Sequence, residues 1–149
     1  MTNQKKYVAY VSTYTMGDNH GITIYDVDVE NGILTPRNEV EVSNSSYVSV
    51  SRNLKYLYSI EDDGVAVFKR DGNGDLERLN SVDIEGMRGC FLSTDYSGNY
   101  LFVGGYHDGK VTLVEILPDL SLIHILPCHP SYRKERPYPR QPAHGTAQS

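Results

Sequence analysis

Three stretches alternate apolar and polar positions in the same way: Ile22-Thr23-Ile24-Tyr25, Val65-Ala66-Val67-Phe68 and Val111-Thr112-Leu113-Val114, at offsets of 43 and 46 residues. Period-2 alternation puts successive side chains on opposite faces of a strand, and the flanking Gly and Asp residues mark its ends. A second correspondence sits between the copies. Tyr47 to Tyr58 superimposes on Phe91 to Phe102 at an offset of 44, each an apolar strand, a polar turn and another apolar strand. Glu30-Asn31-Gly32 and Gly72-Asn73-Gly74 predict tight turns, each followed by a strand with Leu34 or Leu76 near its start. Gly32 and Gly74 supply the positive φ that such turns need.

The repeating unit is therefore four antiparallel strands in 42 to 46 residues, with no helical period in it. That is the length and make-up of a β-propeller blade, so the expected class is all-β. With strands labelled A to D from the centre of the ring outwards, residues 46–84 make one complete blade and residues 90–117 give A, B and C of the next. Tyr7 to Val42 supplies B, C and D of a blade without its A strand, as expected where the last strand of a chain closes the ring. A ring needs at least four blades. The chain carries about two and a half.

The repeat also predicts where it should continue. Adding the 46-residue offset to Gly74 calls for Gly at 120, where the chain has Leu120, and the stretch LVEILPDLSLIHILPCHP loses the alternation. Leu122 to Leu126 has the make-up of a D strand. Pro127, Pro130, Pro137, Pro139 and Pro142 exclude a further blade. The expectation is a partial propeller over residues 1–119 and a tail over 120–149, foreign to the repeat and disordered, entered where the frame is lost near residue 119. His124, Cys128 and His129 cluster in that tail, but without a fourth ligand they do not predict a metal site.

Composition narrows the function classes. The net charge is −5, and the basic excess of the tail (Arg133, Lys134, Arg136 and Arg140 against Asp119 and Glu135) leaves residues 1–117 more acidic still. An acidic body argues against a nucleic-acid footprint. Cys90 and Cys128 have neither metal-ligand nor disulfide-framework spacing. The beginning, MTNQKKYVAY, lacks an apolar signal region, and no run reaches the roughly 18 apolar residues of a membrane span. A cytoplasmic protein with reduced cysteines is expected, its Asn44-Ser45-Ser46 sequon unmodified. The oligomeric state is left open.

Four stretches carry a family likeness: Tyr7 to Thr15, Gly21 to Tyr25, Ser51 to Tyr58, and Leu92-Ser93-Thr94-Asp95 through Tyr100 to Tyr106. In order and spacing they resemble the N-terminal third of the lactonase family, seven-bladed propellers typified by 6-phosphogluconolactonase of the pentose phosphate pathway. The resemblance covers residues 5 to about 119. It implies a hydrolase that opens 6-phosphoglucono-δ-lactone to 6-phosphogluconate, and a small phosphorylated sugar lactone as partner. It also implies a chain that is an inactive fragment by itself. Many members place His after Cys in the third A strand; here Cys90-Phe91 departs from that pattern. The alternative is a propeller that binds a ligand or protein without turning it over.

Lactone hydrolysis needs a base to activate water, a donor for the tetrahedral oxyanion and, for a phosphorylated sugar, a cation. In a propeller the B-to-C and D-to-A loops meet at one end of the channel, here residues 14–20, 61–63 and 106–108 with 43–46 and 86–89. From these loops Arg88 is the candidate phosphate or oxyanion ligand, and His107, Asp108 and Glu61 are the candidate bases. Each also reads as a solvated turn residue. Asp26 to Gly32 and Asp71 to Asp75 space oxygen ligands like a calcium loop but lack its Gly and Glu, so turns are expected there. Ser12 and Ser59 lie outside any G-x-S-x-G elbow, and there is no Gly-rich phosphate loop. No cofactor and no metal are expected. The recurring Tyr7, Tyr10, Tyr56, Tyr58 and Tyr100 read as packing between blades.

Overall fold

The alternating stretches fold as strands of three antiparallel sheets. The computed structural model describes residues 6–85, 88–119 and 122–128. β1 (Tyr7–Ser12), β2 (Gly21–Asp28) and β3 (Ile33–Glu41) form a three-stranded sheet. β4 (Val48–Val50), β5 (Tyr56–Glu61), β6 (Gly64–Arg70) and β7 (Leu76–Asp83) form a four-stranded sheet in sequence order. β8 (Phe91–Thr94), β9 (Tyr100–Gly104), β10 (Val111–Ile116) and β11 (Leu122–Cys128) form the third. These are blades 1, 2 and 3, and blade 1 has the B, C and D strands that the repeat predicts. Among the described residues no helix is long and apolar enough to cross a membrane.

Register confirms the repeat at atomic detail. Tyr58 pairs with Val67 in blade 2 and Phe102 with Leu113 in blade 3. The C–D pairing of every blade carries an irregularity at the same place: Ile24/Tyr25, Val67/Phe68 and Leu113/Val114. A bulge there bends and twists the outer strand.

β11 shares that bulge, so blade 3 has a D strand beyond residue 119, where the sequence puts the end of the repeat. Leu120 does not prevent the pairing, and Leu122 is buried. Pro127, opposite Thr112, is tolerated because the D strand is an outer edge, where a missing N–H breaks no second ladder. The expected disordered tail runs over residues 120–149; of these, 122–128 form β11, and 120, 121 and 129–149 lie outside the described residues. The side chains of His124 and Cys128, and all of His129, also lie outside them.

Two seams hold the blades together. Between blades 1 and 2, Ile22 and Val42 pack with Leu57, Ala66 and Phe68. Between blades 2 and 3, Tyr58, Ile60, Val65 and Val67 pack with Leu92, Leu101, Val103 and Val114. Burial pushes the Tyr58 phenol up to about 12, with the neighbouring Tyr56 adding to the shift. Arg37 ties the outer edge of the first seam, bonding Asp26 at 3.0 Å, the Asn73 carbonyl at 3.0 Å and Asp75 at 3.2 Å.

Turn chemistry follows the sequence. Gly32 and Gly74 have φ of 67° and 86°. Asp28 accepts the backbone N–H groups of Glu30 and Asn31, and Asp71 accepts those of Asn73 and Asp75. These are Asx turns.

Candidate functional site

The B-to-C loops following β1, β5 and β9 and the D-to-A loops following β3 and β7 carry the candidate residues. Close passage of the backbone sets the position of Arg88. A Cβ on the next residue, Gly89, would lie 2.5 Å from Val103 Cγ1 and 3.1 Å from Ile60 Cδ1, so only glycine lets the loop cross the seam at this depth. Ser46 Oγ donates to the Gly89 carbonyl at 3.1 Å and ties the two D-to-A loops together.

From that anchor Arg88 reaches back across blade 2. Its Nη1 donates to Asp62 Oδ1 at 3.0 Å, and its guanidinium carbon lies 4.8 Å from the centre of the Tyr14 ring. The stacking and the ion pair fix the plane of the guanidinium, which a flexible ammonium would not allow. Asp62 is itself held: Asn44 Nδ2 donates to both of its carboxylate oxygens at 3.0 Å, and its own N–H donates to Ser43 Oγ at 3.3 Å. Asn44 Oδ1 accepts from Thr15 N at 3.1 Å and Thr15 Oγ1 at 3.2 Å. Four loops from two blades thus converge on one guanidinium.

The three candidate bases lie in different surroundings. Glu61, at the end of β5, accepts from Arg78 Nη2 at 3.0 and 2.8 Å, and its side chain is 13% exposed. It lines a cleft of about 460 Å³ between the outer strands of blades 1 and 2, with Thr15, His20, Glu41 and Ser43. His107 is exposed and meets the Tyr106 ring edge-on at 5.4 Å. Asp108 Oδ1 accepts Lys110 N at 3.1 Å and lies where a Cβ on Gly105 would come within 2.3 Å of it. Asp108 therefore shapes the loop that presents His107.

The structure brings Arg88 together with Asp62 and Tyr14, and through Asp62 with Asn44 and Thr15, none of which the sequence named as a site residue. One signal was available: Asn is among the few residues that tolerate a left-handed backbone, and Asn44 has φ of 47°. Asp28, Asp71 and Asp95 are all lowered by hydrogen bonds within the C-to-D and A-to-B turns at the opposite end, which is a turn-forming role.

Comparison with known proteins agrees with this architecture. A family profile described as Lactonase, 7-bladed beta-propeller matches residues 8–134. The chain is 37% identical over 123 residues to a 6-phosphogluconolactonase of Bacillus subtilis, covering 78% of this chain and 35% of that protein. It is 34% identical over 104 residues to a 6-phosphogluconolactonase of Formosa agariphila, covering 64% and 30%. Its fold is similar to that of a periplasmic gluconolactonase of Pseudomonas aeruginosa, with a TM-score of 0.76 at 24% identity, covering 83% of this chain and 38% of that one. The chain thus spans about a third of the length of these relatives. On its repeat, its sheets and its sequence, the chain belongs to the lactonase family of seven-bladed β-propellers.

Proposed function

We propose that a complete ring carrying these blades is a 6-phosphogluconolactonase-type hydrolase. Its substrate is a phosphorylated sugar lactone, 6-phosphoglucono-δ-lactone, and its place is the cytoplasmic pentose phosphate route. In this reading Arg88 binds the phosphate or the oxyanion, and His107, Asp108 or Glu61 takes a proton from the attacking water. Water oxygen bonds to the lactone carbonyl carbon, the tetrahedral alkoxide collapses, and the ring oxygen leaves with a proton as the acid is released.

The observation that supports this most directly is the guanidinium of Arg88, preset by Asp62 and Tyr14 where four loops meet. A planar, oriented fork suits a phosphate or an oxyanion. The test is acid release from 6-phosphoglucono-δ-lactone, followed at constant pH, by a complete seven-bladed protein carrying residues 6–128. A rate equal to spontaneous ring opening would sink the proposal. The 149-residue chain alone is expected to give only that spontaneous rate.

One observation favours a second reading, a propeller that binds without turnover. Glu61 and Asp108 both have hydrogen-bonded partners, Arg78 and Lys110. Ligand binding that survives in the complete ring with no hydrolysis before or after His107→Ala would favour it.

A further inference from the structure

The two seams treat the same hydroxyl differently. Tyr10 of blade 1 pairs with Ile24 and Tyr58 of blade 2 pairs with Val67, in each case just before the bulge of the C strand, so the two tyrosines hold one register position. In the first seam the Tyr10 hydroxyl donates to the Gly74 carbonyl at 2.6 Å and accepts from Arg70 Nε at 2.7 Å. Its polar capacity is met by blade 2. In the second seam the residue standing where Arg70 stands is Ile116: the Arg70 N–H bonds the Lys55 carbonyl and the Ile116 N–H bonds that of Asn99, both at 2.8 Å, at the same place in the repeat. Isoleucine offers no hydrogen bond. Among the described residues the Tyr58 hydroxyl has no hydrogen-bond partner, although the residue is only 2% exposed. A buried polar group in that state calls for an explanation.

Tyr58 lines a cavity of about 150 Å³ between blades 2 and 3, at the end opposite the Arg88 loops. Ile116 and Tyr56 give it apolar walls, and Arg52 is the one charged residue that lines it among the described residues. The Arg52 guanidinium carbon lies 4.1 Å from the centre of the Tyr96 ring, across the mouth of the seam, and among the described residues no carboxylate pairs with it. Stacking fixes the plane of that guanidinium. Burial keeps the Tyr58 phenol protonated at neutral pH, so it can donate.

We propose that this cavity is a binding site for a short-chain monocarboxylate, whose oxygens accept from the Tyr58 hydroxyl and the Arg52 guanidinium. One cation matches one negative charge, and hydrogen bonds to an ionised acceptor are the strong ones. The apolar walls receive the short carbon chain. A phosphate dianion would bring a second charge that no second cation meets. Blade 1 already satisfies the equivalent hydroxyl with its own neighbour, so the site belongs to the seam between blades 2 and 3 alone.

Titration of propionate into the isotope-labelled full chain, followed by amide NMR, tests this. The Tyr96 and Gly98 signals should shift and saturate with a Kd of about 1–10 mM, as befits so small a ligand. Tyr58→Phe keeps the ring and removes only the hydroxyl, and should weaken binding about 10-fold. Arg52→Gln should weaken it at least as much. Propionamide, of the same shape without the charge, should bind about 10-fold more weakly than propionate. Shifts that never saturate, shifts confined to the Arg88 loop, equal affinity for propionamide, tighter binding of inorganic phosphate, or unchanged affinity in either folded variant would each overturn the proposal. If Tyr58→Phe loses its β-sheet circular dichroism, the exposed Arg52→Gln decides the matter.

Discussion

Asn44 bonds both carboxylate oxygens of Asp62 at 3.0 Å while its own backbone sits at φ 47°, a conformation that few side chains accept. The cost of that backbone is offset by what the side chain joins: Thr15 on one side and the Asp62–Arg88 pair on the other. Strain held in place by hydrogen bonds at a loop junction points to a positional role.

Replacing Asn44 separates the two effects. Asn44→Ala keeps the unfavourable φ and loses the side-chain bonds, so it should cost about 1–3 kcal/mol. Asn44→Gly loses the same bonds but relaxes the backbone, and should cost less by up to about 1 kcal/mol. Urea titrations of both variants, read by tyrosine fluorescence, measure the difference. Equal losses would show that the backbone conformation carries no penalty.

The repeat offers a stabilising change in the A-to-B turns. Leu54 has φ of 60°, and the residue at the equivalent place in blade 3 is Gly98 with φ of 77°. Each N–H closes its turn, Leu54 onto the Ser51 carbonyl and Gly98 onto that of Asp95. Leu54 is 65% exposed, so little packing is lost on removing it. Leu54→Gly should stabilise the chain by about 0.5–1 kcal/mol. An unchanged or lower denaturation midpoint would refute this.

At the start of the C strands the reverse holds. A Cβ on Gly64 would lie 1.9 Å from the Val82 carbonyl oxygen, within the β6–β7 ladder, whereas one on Gly72 would meet nothing within 4 Å. Gly64→Ala must push β7 away and should cost about 2–4 kcal/mol. Gly72→Ala should be neutral or slightly stabilising. Melting temperatures of the pair check the contrast, and similar values would mean that β7 yields freely.

Much of this architecture was legible in the sequence, for a physical reason. A period-2 pattern recurring every 43 to 46 residues fixes both the strands and their order, and Gly32 and Gly74 mark turns that only a few residue types can make. The D strand of blade 3 was harder to read, because an outer edge strand has one ladder to satisfy and so tolerates Pro127 and the loss of glycine at 120. The site was legible only as a set of loops. Arg88 stood out as a cation, but its partners Asp62 and Tyr14, and the Asn44 that holds Asp62, come from loops far apart in the chain. Period and composition say nothing about which loop residues touch. That β7 brings Arg78 onto Glu61 is likewise a contact that no spacing in the sequence shows.

Acid should unfold the chain through its turns. The Ser97 hydroxyl and the backbone N–H groups of Tyr100 and Ser97 bond the Asp95 carboxylate and hold it down at about 2, against an ordinary 3.8. Asp28, bonded by the Asn31 side chain, and Asp71, bonded by its own turn, shift the same way. A carboxylate lowered in the folded state stabilises fully above its unfolded value and loses that contribution as pH falls through the folded one. Stability should therefore fall between about pH 4 and pH 2. Asp95→Asn, which does not titrate, should flatten that limb in urea titrations across pH 2–6. A variant curve parallel to the original would remove Asp95 from the account.

The chemistry assigned to Arg88 predicts a split in kinetics within a complete ring. If the guanidinium holds the substrate phosphate in both ground and transition states, Arg88→Ala should raise KM about 10- to 100-fold with little change in kcat. The loss should be confined to phosphorylated lactones, leaving an unphosphorylated lactone unaffected. Asp62→Asn keeps an oxygen acceptor near Arg88 but removes the charge that orients it, so KM should rise by a smaller factor in the same substrate-dependent way. Arg88→Lys, with a point charge and no planar fork to stack on Tyr14, should recover only part of the affinity. An equal fall in kcat for both substrates would instead place Arg88 at the oxyanion, because only a contact made in the transition state lowers kcat without raising KM.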